Sequence, residues 1–108
     1  MTESNTRIKH IIQEAAATFV RQESSGTGLI TVTDVVFSRD KSHVMLLVSV
    51  LPENRESVVL AFLKRKRSEL RTYIKAHTRL YPIPRFDFDI DYGEKNRQRI
   101  EEISQENK

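Results

Sequence analysis

Residues 85–91 read Arg-Phe-Asp-Phe-Asp-Ile-Asp, and this strict alternation leaves the backbone little choice. Successive side chains of a strand point to opposite faces, so Phe86, Phe88 and Ile90 share one face and Asp87, Asp89 and Asp91 the other. Such a strand needs a cover for its apolar face, and the rest of the chain must supply one.

The preceding segments provide two more strands and three helices. Ile8, Ile11, Ile12, Ala15 and Phe19 recur at helical spacing with polar residues between them, and Ser4 or Asn5 is the expected N-cap. Ser24-Ser25-Gly26-Thr27-Gly28 ends that helix. Leu29 to Ser38 is rich in β-branched residues and predicts a strand. After the polar turn Ser38–Ser42, Val44 to Leu51 predicts its antiparallel hairpin partner. Val44, Leu46, Val48 and Val50 line one face of this second strand, yet Met45, Leu47 and Leu51 make the other face apolar too. A strand greasy on both sides belongs in the centre of a sheet or under partial cover. Pro52-Glu53-Asn54 opens a second helix with Val58, Val59, Phe62 and Leu63 as its apolar stripe. A third helix carries Leu70, Tyr73, Ile74 and His77, with Ser68 as the expected N-cap and break point. Without a break, residues 58–78 would form a rod that could not lay both stripes on one small sheet. Pro82 and Pro84 end helix potential.

The expected fold class is therefore α+β: a single domain over residues 1–92 with the order α-β-β-α-α-β, its three-stranded sheet covered by helices on one face. Residues 93–108 read as a charged tail or short helix. The order is that of a bacterial-type KH domain, an RNA-binding module.

Charge is distributed unevenly. Between Lys64 and Arg85 stand eight basic residues against the single acid Glu69, while the remainder of the chain holds ten basic and fourteen acidic residues. Concentrated positive charge on an otherwise mildly acidic chain suits a polyanion. Lys64, Arg65, Lys66, Arg67, Arg71, Lys75 and Arg79 are the candidate RNA-binding residues. Arg67, Arg71, Lys75 and Arg79 follow one another every fourth residue and predict a basic ridge. A solvated helix face would carry the same run, and basic residues also suit a helix C-terminus.

Other chemistry finds little support. The chain has no cysteine, so neither a disulfide nor a thiolate metal site can form. His10, His43 and His77 are scattered without paired ligand spacing, and Asp87, Asp89 and Asp91 step about 7 Å apart along a strand, wide for one ion. No phosphate-cradling glycine loop or nucleophile triad is present, so neither an enzyme nor a cofactor is expected. Tyr73 and Tyr81 flank the basic segment, where either a stacked base or ordinary packing would account for them. No signal peptide and no apolar run of membrane-spanning length is evident, so a soluble, cytoplasmic monomer is expected, with no membrane or small-molecule partner.

In order along residues 6–92, the chain resembles the ribosome-binding factor A family. Leu29-Ile30-Thr31-Val32-Thr33-Asp34-Val35 resembles that family's first strand, and Ser38-Arg39-Asp40 its turn. Val48-Ser49-Val50-Leu51 resembles the end of its second strand, and Leu70-Arg71 the pair that opens its last helix. Arg79-Leu80-Tyr81-Pro82-Ile83-Pro84-Arg85-Phe86-Asp87-Phe88 resembles its proline-containing approach to the last strand. One departure is plain: Lys66-Arg67-Ser68 stands where the family kinks its paired helices with Ala-x-Gly. The resemblance implies a non-catalytic assembly factor that binds the immature 30S subunit and 16S rRNA and assists late rRNA processing. A KH-like module for another RNA and a basic adaptor for an acidic protein are the rival readings.

Overall fold

The computed structural model describes residues 2–24 and 28–93. Along them run α1 (Thr2–Glu23), β1 (Leu29–Phe37), β2 (His43–Leu51), a 3-10 turn (Glu53–Arg55), α2 (Glu56–Arg65), α3 (Arg67–His77) and β3 (Arg85–Ile90). This is the expected α+β order. Of the tail or short helix expected over residues 93–108, residues 94–108 lie outside the described residues. Ser4 and Asn5, expected as N-caps, fall inside α1, which begins at Thr2.

The sheet order is β1-β2-β3, with β2 central, antiparallel to β1 and parallel to β3. That position explains the two apolar faces of β2. Val44, Leu46, Val48 and Val50 join the main core with Phe86, Phe88 and Ile90 of β3. Leu47 points the other way and is buried with Val36, Met45 packing beside them. The helices cover the first face: α1 packs on β1 and α3, while α2 and α3 pack on β3. Ile12, Phe19, Val59, Leu63, Leu70 and Ile74 supply their contribution to the core. Val58, expected in the α2 stripe, is instead 56% exposed. Val59 and Leu63, four apart, define the buried line of that short helix, and Val58 sits round its side. Among the described residues no helix is long and apolar enough to cross a membrane.

Simple alternation fails at one place in β1. Val32 pairs with Val48, but the next pair is Asp34 with Leu47, so Thr33 is an extra residue. This bulge shifts the side-chain phase. Val35 and Phe37 thereby join Ile30 and Val32 on the core side, and Asp34 and Val36 turn to the other. The Thr33 hydroxyl lies 2.6 Å from Asp91 Oδ2, tying the bulge to the end of β3 across β2. Lys9 of α1 meets Asp34 at 3.0 Å.

Gly28 enters β1 at φ +105°, and a Cβ there would lie 2.8 Å from the Leu51 carbonyl oxygen. Both the dihedral and the contact oppose any side chain. Gly28→Ala is expected to lower stability by about 1–3 kcal/mol. A urea-denaturation midpoint equal to that of the wild type would overturn this.

The break between α2 and α3 falls at Lys66, two residues before the expected Ser68. Lys66 adopts φ −98° and ψ 7°, and its amide bonds back to the Leu63 carbonyl at 2.9 Å. The turn uses negative φ, so no glycine is required where the family has one. Ser68 sits in the first turn of α3 and its hydroxyl makes no capping bond. Ser68→Ala is therefore expected to change stability by no more than about 0.5 kcal/mol, and in the stabilising direction, since alanine is the better helix former. Thermal denaturation of the variant measures it, and a loss of about 1 kcal/mol would restore the serine as a cap.

Candidate nucleic-acid interface

The seven candidate cations lie on the α2–α3 pair and just beyond it. Lys64 and Arg65 occupy the last turn of α2, where positive charge complements the helix dipole. Lys66 forms the junction. Arg67, Arg71 and Lys75 lie along α3, and Arg79 follows its end.

Four of the seven have partners within the chain. Asp87 of β3 is the hub: its Oδ1 receives Lys64 Nζ at 3.0 Å and Arg67 Nη1 at 3.2 Å. Asp87, which alternation puts on the strand face opposite the phenylalanines, thus pins the ends of both helices to the edge strand. Arg67 Nε also donates to the Lys64 carbonyl at 2.9 Å. Lys66 Nζ lies 3.4 Å from Glu23 and 3.5 Å from Glu69, with the Phe62 ring centroid 5.7 Å away. The hydrogen bond to Glu23, and then the charge of Glu69, raise the Lys66 pKa above its ordinary value. A raised lysine pKa stabilises the fold while the ammonium is charged, and that contribution disappears as strongly alkaline pH deprotonates it. Arg71 donates to the Ile83 carbonyl at 3.0 Å and the Pro84 carbonyl at 3.2 Å, clasping the loop before β3.

The expected ridge therefore divides. Arg67 and Arg71 are engaged in holding the domain together. Lys75 and Arg79, with Arg65, are exposed, and their side chains form no ion pair or hydrogen bond among the described residues. Surface ion pairs are weak, so a phosphate can still recruit the paired lysines and arginines. The charge of the other three is left without a partner among the described residues.

The remaining expectations sort themselves simply. Tyr73 is half-buried, packing on Phe19 at 5.5 Å and stacking with His77 at 4.0 Å. His77 Nδ1 lies 2.9 Å from the Tyr73 carbonyl, an oxygen that can only accept, so this nitrogen carries the proton. Among the described residues no three His, Asp or Glu side chains converge as a metal site.

The sequence profile described as Ribosome-binding factor A matches residues 3–104. The chain belongs to the ribosome-binding factor A family. The ribosome-binding factor A of Neisseria gonorrhoeae (strain ATCC 700825 / FA 1090) is 29% identical over 87 residues, covering 79% of this chain and 71% of that protein. That of Brevibacillus brevis is 38% identical over 84 residues, 73% of this chain and 69% of the relative. The crystal structure of ribosome-binding factor A from Thermus thermophilus aligns with a TM-score of 0.70 at 23% identity, covering 79% of this chain and 93% of that one. The last likeness concerns the fold, and it agrees with the KH-like order of elements. Within the ribosome-binding factor A fold this chain builds its interhelix kink on Lys66.

Proposed function

We propose that this chain is an assembly factor of the small ribosomal subunit, binding the immature 30S particle through 16S rRNA and assisting late rRNA processing without catalysing a reaction. Family membership across residues 3–104 carries the reading. The exposed, unpaired Arg65, Lys75 and Arg79 support it, because lysine and arginine release counterions from RNA on contact. In this reading residues 1–92 form the RNA-binding domain, residues 93–108 are a charged tail or short helix, and the protein acts as a cytoplasmic monomer with no cofactor or small-molecule substrate.

Co-sedimentation with free small subunits, followed by crosslinking to RNA in cells and mapping of the linked nucleotides, tests it. Crosslinks within 16S rRNA on the free subunit are expected. A binder of another RNA, or an adaptor for an acidic protein, would not track that particle, and failure to co-sediment would overturn the assignment.

A further inference from the structure

Tyr81 is 92% exposed, the most exposed large hydrophobic side chain among the described residues. It does not lie on a loose loop. Leu80 before it and Ile83 after it both pack against the main core. The Leu80 amide bonds the Thr78 hydroxyl at 3.3 Å, and Arg71 grips the Ile83 and Pro84 carbonyls. The backbone is thus anchored on both sides while the ring is held out in solvent. Folding gains little from an aromatic ring left in water, and an anchored ring loses little freedom when something stacks on it.

The surroundings select the kind of partner. Residues 70–86 contain four basic residues and no acidic one. Arg79 and Arg85 flank Tyr81 in the chain, both exposed and without an ion pair among the described residues. Arg85 opens β3 beside the β1–β2 turn, its amide donating to the Ser42 carbonyl at 2.9 Å. That turn adds the exposed Arg39; its acid, Asp40, is exposed too, with its Oδ1 accepting from the Ser38 and Ser42 hydroxyls and the Ser42 amide. One end of the domain therefore presents an anchored aromatic face within a cationic border.

We propose that Tyr81 is a stacking platform for one unpaired nucleobase, with Arg79 and Arg85 receiving the adjoining phosphates. Base stacking needs an exposed π-face and tolerates any sequence, and phosphates need unpaired cations. The proposal rests on the RNA-binding reading above and adds a single-stranded segment as the element recognised. It places the base contact at the α3–β3 loop, away from the α2–α3 junction.

Binding of the wild type, Tyr81→Ala and Tyr81→Phe to deproteinised 16S rRNA and to intact small subunits tests this, each over a range of salt. Tyr81→Ala is expected to bind both targets about 5- to 100-fold more weakly, with an unchanged salt slope and unchanged melting. Tyr81→Phe is expected to bind as the wild type does. If the wild type does not bind the rRNA, the RNA-binding reading itself falls. If the wild type binds and Tyr81→Ala binds equally well, only the stacking platform falls. A loss confined to intact subunits would place a ribosomal protein on Tyr81, and an equal loss for Tyr81→Phe would make the hydroxyl the contact. Either result overturns the proposal.

Discussion

Phe88→Ala is expected to destabilise the domain by about 3–5 kcal/mol, the range for removing a buried aromatic ring and leaving its cavity. Phe88 is fully buried on β3, opposite Leu46, itself fully buried on the central strand. It stands where sheet and helices meet, since both α2 and α3 pack on β3. Domains of this size are stable by only about 5–15 kcal/mol, so the variant should be partly unfolded near body temperature. Chemical denaturation measures the effect. Asp89→Asn, on the opposite face of the same strand, makes the control: it keeps the oxygen that accepts the Ile90 amide and should change little. An unchanged midpoint for Phe88→Ala would remove the ring from the core.

The largest expected effect on binding comes from changing Arg65, Lys75 and Arg79 together to alanine. Each lost phosphate contact should flatten the logarithmic salt dependence by about 0.7–0.9, so the triple variant should lose roughly 2–3 in slope. At moderate salt this corresponds to weakening on the order of 100-fold. The fold should survive, because none of the three has a partner within the described residues to lose. Lys64→Ala and Arg67→Ala are different experiments. Each removes a bond to Asp87 as well as a charge, so part of any effect on binding would come through the fold. A salt titration of small-subunit binding decides the matter. Equal affinity and equal slope for the triple variant would put the RNA surface elsewhere, and would favour an adaptor.

Local pattern carries most of the fold. The alternation of residues 85–91 puts Phe86, Phe88 and Ile90 in the core, and the doubly apolar character of Val44–Leu51 points to the central strand. What periodicity misses arises from register and from contacts distant in sequence. The Thr33 bulge changes phase within a run of β-branched residues, where either phase looks equally apolar. The kink at Lys66 uses a backbone conformation open to any residue, so no residue type marks it. Lys64 and Asp87 are 23 positions apart, and Arg71 and Pro84 13. No spacing rule joins them, which is why helical spacing predicts a uniform ridge of four basic residues where two are tied down. The charge concentration itself is plain from the sequence. Which of its members keep an outward-facing valence is a tertiary property.

The aspartates of β3 also bear on how chains behave in company. β3 ends the sheet, and the amides of Arg85 and Asp91 point inward to β2, so those of Phe88 and Ile90 point to the open side. Those two amides are taken by the carboxylates of the residues just before them, Asp87 and Asp89, each at 2.8 Å. The strand's own side chains thus occupy two of the three outward donors, leaving only that of Phe86 for an incoming strand. A second molecule extending the sheet would first have to displace two charge-assisted hydrogen bonds and bury two carboxylates. The alternation that makes this strand the most legible in the chain also hinders a second molecule from pairing with it.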